Sequence, residues 1–163
     1  MLNTLENLIK LARERKSTPV EGSYTNKLLT DKSLSKAKVL EEVDELIEAV
    51  EENSNKIHEA ADVFYHLLMY LEANDIKIEE VMLELAKRKK NPIEGSYTNK
   101  LLLDKSLSKA KVLEEVDELI EAIEEDTNKI HEAADVFYHL LMYLEANEVK
   151  IEDVMSELEK RKK

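Results

Sequence analysis

Leu5, Leu8, Ile9 and Ala12 recur at helical spacing near the start of the chain, predicting a first helix over about residues 3–16. Ser17-Thr18-Pro19 ends it, because proline disfavours helix in the residue before it. Residues 21–31 read as a polar segment with room for one short helical turn. Ser33 is the predicted N-cap of a second helix running to about Glu52. Asn53-Ser54-Asn55 breaks that helix, and a third is predicted over 56–73. After Asn74-Asp75, a fourth covers about 77–90.

The second predicted helix is amphipathic. At about 100° per residue, Val39, Leu40, Val43, Leu46, Ile47 and Val50 share one face. Lys38, Glu42, Glu45 and Ala49 form a stripe along its edge, and Glu41, Asp44 and Glu48 lie on the far side. The third helix is apolar or aromatic nearly all round from Ala60 to Leu71, the composition of a largely buried helix. Yet Glu59, Asp62 and His66 draw one narrow polar line along it at i, i+3, i+7.

The whole pattern then repeats. EGSYTNKLL at 21–29 recurs at 94–102, and the 73-residue offset persists to the C-terminus, pairing Glu41 with Glu114, Asp62 with Asp135 and Arg88 with Arg161. Between 20–90 and 93–163 only ten positions differ, so this is a very recent duplication or an engineered fusion. The second copy's helices are predicted near 106–125, 129–146 and 150–163, with no separate first helix. LIKLAR at 8–13 resembles MLELAK at 82–87, so the 77–90 helix is expected to close the first copy and open the second. That gives modules 1–90 and 77–163. Leu83 and Ala86 become Ser156 and Glu159, as if an apolar face needed in mid-chain were solvated at the end.

Composition narrows the class. Two glycines and two prolines in 163 residues, amid abundant Leu, Glu, Lys and Ala, point to an all-α protein. A unit of 73 residues is near the lower limit for an independent core, so the copies are expected to share one. A net charge of −12 argues against nucleic acid as a partner. Cysteine is absent, which excludes thiolate chemistry. No apolar stretch approaches the roughly 20 residues that cross a bilayer. The N-terminus lacks an apolar signal core, making the cytoplasm the default compartment.

Glutamates on an amphipathic helix ordinarily face water. A carboxylate turned towards an apolar interior instead costs several kcal/mol unless it is paired or binds a metal. Acidic stripes on adjacent antiparallel helices would bring Glu42, Glu45, Glu59 and Asp62 into one cleft. Converging carboxylates repel one another and raise their pKa values. A divalent cation relieves that conflict, and all-oxygen ligands suit Mg²⁺ or Mn²⁺. The same four positions recur as Glu115, Glu118, Glu132 and Asp135.

Glu41-Glu42-Val43-Asp44-Glu45 followed by Glu59-Ala60-Ala61-Asp62 resembles the EExxE and ExxD signature of the all-α nucleotide pyrophosphohydrolases, the MazG-type superfamily. Within it, GSYTNKLL at 22–29 and EAADVFYHLL at 59–68 resemble the phosphoribosyl-ATP pyrophosphatase family, over essentially the whole of each copy. Where that family usually has a glycine before the paired glutamates, this chain has Leu40 and Leu113. The resemblance implies a helical bundle of the all-α NTP pyrophosphatase type, its tandem copies forming a single-chain pseudo-dimer or a homo-oligomer. It implies Mg²⁺-dependent hydrolysis of the α–β phosphoanhydride of phosphoribosyl-ATP, giving phosphoribosyl-AMP and pyrophosphate in histidine biosynthesis. The partner would be a small nucleotide, with neither nucleic acid nor membrane involved.

On that resemblance the eight carboxylates above would hold the metal, and Glu41 and Glu114 would orient the attacking water. Ser23, Tyr24, Thr25, Lys27 and Lys38 would contact substrate, as would Ser96, Tyr97, Thr98, Lys100 and Lys111. His66 reads as a supporting residue, and Tyr65, Met69 and Tyr70 as core. The basic clusters at 13–16 and 87–90 suit helix C-termini. Two other readings stay open: a MazG-type house-cleaning pyrophosphatase, and an inactive or engineered scaffold derived from the family.

Overall fold

The computed structural model describes residues 2–89 and 96–160, with side chains for all of these except Leu2, Arg88, Lys89 and Ser96. The Asn91-Pro92 junction and Lys90 of the basic cluster at 87–90 lie outside the described residues, as do the side chains of Arg88 and Lys89. The described residues fold into α1 (Leu2–Ser17), α2 (Tyr24–Thr30), α3 (Lys32–Glu51), α4 (Lys56–Ala73), α5 (Ile78–Lys89), α6 (Ser96–Leu103), α7 (Lys105–Glu124), α8 (Lys129–Ala146) and α9 (Ile151–Glu159). The protein is all-α, in two tandem copies. Among the described residues no helix is long and apolar enough to cross a membrane.

One local expectation is sharpened and one is corrected. The polar segment after the first helix contains the two-turn helix α2, too short for its buried Leu28 and Leu29 to show a period. It is launched by Gly22 at φ +77°, a left-handed conformation that glycine adopts without a Cβ clash, and capped by Ser23, whose side chain accepts from the Asn26 N–H. The cap of α3 is Asp31 rather than Ser33: its Oδ1 accepts from the Leu34 N–H at 2.9 Å. Asp104 caps α7 in the same way. A carboxylate there also meets the positive end of the helix dipole, which a serine hydroxyl does not exploit.

The turn between α3 and α4 uses Asn53 and Asn55 at positive φ, and that between α7 and α8 uses Asp126 and Asn128. Asn and Asp tolerate this region better than other side-chain-bearing residues. Each turn therefore folds two long helices back on one another. Leu40 and Leu113, on the apolar side of the helical wheel, are partly exposed because they sit at its margin.

The chain clusters into two compact units, Met1–Ile78 with Ile151–Lys163, and Glu79–Lys150. The last helix of the second copy, α9, lies in the first unit, and nearly all of α5 lies in the second. In the first unit α9 packs on α4 and α1 and buries Val154, Met155 and Leu158. Thr4 Oγ1 donates to Glu159 at 2.9 Å, and His58 lies 3.4 Å from Glu157. In the second unit α5 buries Val81, and Glu84 lies 3.7 Å from His131.

Leu83 and Ala86 do not widen a buried face: both are exposed, Leu83 by 61%. α1, by contrast, buries Leu5, Leu8, Ile9 and Ala12 against the first unit. Leu68 and Met69 are consequently fully buried, whereas their repeats Leu141 and Met142 are only half-buried.

Candidate active site

The α3–α4 pair sets the acidic stripes against each other. Glu42 points inward and is 5% exposed, Glu59 and Asp62 are half-buried, and Glu45 is exposed. Carboxylate oxygens of Glu42, Glu45 and Glu59 lie within 4.8 Å of one another. Glu42, Asp62 and His66 form a second such group. Glu42 belongs to both, so all four candidate ligands gather round one buried carboxylate. The second copy repeats the arrangement round Glu115, with Glu118 and Glu132 on one side and Asp135 and His139 on the other.

Little positive charge offsets this concentration. Lys38 Nζ lies 2.8 Å from Glu41 and 3.4 Å from Glu42, and its pKa is raised chiefly by the hydrogen bond to Glu41. Lys111 pairs similarly with Glu114 at 2.7 Å and Glu115 at 3.8 Å. His58 Nε2 lies 3.4 Å from Asp62. Desolvation raises the Glu45 pKa, and the charges of Glu42, Glu59 and Glu41 add to it. In the second copy desolvation, with Glu118 next, raises Glu115. The repulsion expected of converging carboxylates is therefore present.

His66 is buried, and its surroundings fix which nitrogen carries a proton. Burial lowers its pKa. Its Nδ1 lies 3.0 Å from the Asp62 carbonyl oxygen, which can only accept, so Nδ1 carries the proton. In the neutral ring, which burial favours, Nε2 accepts from the Tyr24 hydroxyl at 3.2 Å. Both ring nitrogens are occupied, so His66 ties α2 to α3 and α4 rather than offering a free lone pair to a metal. His139 does the same with Asp135 and Tyr97.

The candidate substrate residues divide. Tyr24 and Tyr97 join the carboxylate cluster through histidine while remaining 45% and 43% exposed. Thr25 bonds the Tyr65 hydroxyl at 2.7 Å, and Thr98 bonds Tyr138 at 2.8 Å. Ser23 is occupied as a cap, and the side chain of Ser96 lies outside those described. Lys38 and Lys111 are at the carboxylates, with Glu41 and Glu114 beside them. Lys27 and Lys100 are exposed, and among the described residues no ion pair joins them to the cluster. Sequence reasoning missed His58 and His131, although each stands four residues before an acidic ligand candidate. It also placed Tyr65 in the core, where the structure leaves it half-buried.

A family model described as phosphoribosyl-ATP pyrophosphohydrolase matches residues 5–89 and again 84–162. The histidine biosynthesis bifunctional protein HisIE of Pyrococcus furiosus is 44% identical over 90 residues, 55% of this chain and 43% of that protein. The phosphoribosyl-ATP pyrophosphatase of Clostridium acetobutylicum is 47% identical over 78 residues, 45% of this chain and 70% of the relative. That of Methanococcoides burtonii is 38% identical over 93 residues, 54% of this chain and 94% of the relative. The chain thus spans less than half of the bifunctional relative. No solved structure matches.

Proposed function

The chain belongs to the phosphoribosyl-ATP pyrophosphohydrolase family, and from that membership we propose that it is a hydrolase of histidine biosynthesis, cleaving the α–β phosphoanhydride of phosphoribosyl-ATP to phosphoribosyl-AMP and pyrophosphate. The observation that carries the chemistry is the buried carboxylate of Glu42, shared by two acidic groups. Such a donor set fits a hard divalent cation, Mg²⁺ or Mn²⁺, held by Glu42, Glu45, Glu59 and Asp62 and by their four repeats. When bound, the metal supplies Lewis acidity and neutralises phosphate charge.

The chain's own residues do the rest. His66 and Lys38 both approach Oε1 of Glu42, at 3.5 and 3.4 Å. Glu41 stands at the solvent edge, half-exposed and steadied by Lys38, where it orients the attacking water. Tyr24, held by His66, presents its exposed ring and hydroxyl to substrate. Lys38 and Lys27 add cationic contacts for the phosphates. The two copies act as a single-chain pseudo-dimer with one site each.

Pyrophosphate release tests this directly, from phosphoribosyl-ATP and from a panel of nucleoside triphosphates, with and without Mg²⁺. Turnover of phosphoribosyl-ATP that needs Mg²⁺ is expected, and its loss in the Glu42→Ala, Glu115→Ala double variant. Turnover of a triphosphate alone would replace this reading with the house-cleaning one. No turnover of anything would leave a scaffold.

A further inference from the structure

A pocket of about 70 Å³ lies in the first unit where α1, α2 and α4 meet, apart from the carboxylate cluster. Leu8 and Met69 form its apolar side; Arg15, Ser23, Thr25 and Tyr65 supply polar groups. Tyr65 connects it to the cluster, since its ring lies 5.0 Å from that of His66.

The three basic residues at the end of α1 are treated differently. Arg13 pairs with Glu72 at 3.2 Å. Lys16 pairs with Asp75 at 2.9 Å and donates to the Glu72 carbonyl at 3.0 Å. Arg15 lines the pocket, and among the described residues its guanidinium has no carboxylate partner. Its backbone is nonetheless fixed, because Asn26 Nδ2 donates to the Arg15 carbonyl at 2.6 Å. Helix-dipole complementarity accounts for a cation at this end of α1, but not for an arginine without a carboxylate partner that lines a pocket with Ser23 and Thr25.

At about 70 Å³ the pocket is about half the size of an apolar cavity of about 150 Å³ that takes a benzene ring, so a small ligand group suits it best. An unpaired guanidinium with serine and threonine hydroxyls suits a compact anion with several acceptor oxygens. Phosphoribosyl-ATP has such a group besides its triphosphate: the phosphomonoester on its second ribose.

We propose that the α1–α2–α4 pocket binds the terminal phosphomonoester of the substrate's phosphoribosyl group, with Arg15 as its specificity-determining residue. This rests on the substrate assignment above. It separates the two ends of the substrate: the triphosphate at the carboxylates, the monoester at Arg15. On the pairing of 8–13 with 82–87 the counterpart is Lys89, whose side chain lies outside those described, so the assignment is made for the first copy.

Two measurements test it. Ribose 5-phosphate binding is followed by calorimetry on the full chain and on Arg15→Gln, Arg15→Lys and Glu42→Gln, with thermal unfolding as a check on folding. The wild type and Glu42→Gln should bind alike, Arg15→Gln about tenfold or more weaker, and Arg15→Lys in between. In a Glu115→Ala background, Arg15→Gln should raise KM for phosphoribosyl-ATP by about tenfold with kcat nearly unchanged. For the analogue lacking the 5-phosphate, Arg15→Gln should match its parent. No ribose 5-phosphate binding by the wild type, equal binding by Arg15→Gln, or equal KM effects on both substrates would overturn the proposal. If the wild type fails to hydrolyse phosphoribosyl-ATP, the functional reading falls, while the binding measurement still decides the pocket.

Discussion

Leu158→Ala probes the exchange of terminal helices. Leu158 is 0% exposed on α9, which packs on α4 of the first unit. Truncating a fully buried leucine costs about 3 kcal/mol or more, because transfer free energy is lost and a cavity remains. Its repeat partner Leu85 on α5 is only half-buried, so Leu85→Ala should cost about 1 kcal/mol. If amide exchange reports local opening, about 3 kcal/mol accelerates it on the order of 100-fold. Hydrogen-exchange mass spectrometry can read this, with one precaution. α4 and α8 have identical sequences, so the peptides must extend to Asp75 or Glu148 to be told apart. In Leu158→Ala, peptides reaching Asp75 should exchange far faster, while those reaching Glu148 change little. Acceleration confined to the Glu148 peptides would mean that α9 serves its own copy, and would refute the unit assignment.

Glu45→Gln should stabilise the metal-free protein at neutral pH. The folded-state pKa of Glu45 is raised above its ordinary 4.5, so the ionised group opposes folding. That opposition is absent below the ordinary value and grows as pH rises through the window up to the raised one. Thermal unfolding in EDTA should therefore show a higher Tm for Glu45→Gln at pH 7 and equal values near pH 3.5; a lower Tm at pH 7 would contradict it. His66→Leu removes the Nε2 acceptor of Tyr24 and the Nδ1–H near Glu42, and should weaken Mg²⁺ binding by about 10-fold or more. Unchanged affinity by metal titration would show that Glu42 needs no such support. Ser35 and Ser108 have buried hydroxyls with no partner among the described residues, so alanine at either should leave stability unchanged or raise it by about 1 kcal/mol. A urea midpoint that falls markedly would indicate a missed partner.

The candidate site was more legible than the arrangement of helices. Glu42 and Glu45 are one helical turn apart, as are Glu59 and Asp62, so each helix presents its carboxylates together whatever surrounds it. The short turn at 53–55 then leaves few ways to pack α3 and α4. His66, on the same polar line, could be placed near the cluster but not given a tautomer, because that depends on which acceptor its Nδ1 meets. Arg15 was indistinguishable from Arg13 and Lys16 in sequence. Only the positions of Glu72 and Asp75 show which two are paired.

From the amino-acid order alone came the all-α class, the 73-residue repeat, the paired acidic stripes and the family resemblance. All follow from local periodicity or direct comparison of residues. Tertiary structure decided which copy each terminal helix completes. α5 and α9 have nearly the same apolar stripe and would fit either copy's α4 or α8 in isolation. The choice depends on chain connectivity and on the competing burial of α1, neither of which is encoded within fifteen residues of either helix. The same cause settles Leu83: an apolar residue at helical spacing is buried only if a neighbour covers it, and here it is exposed.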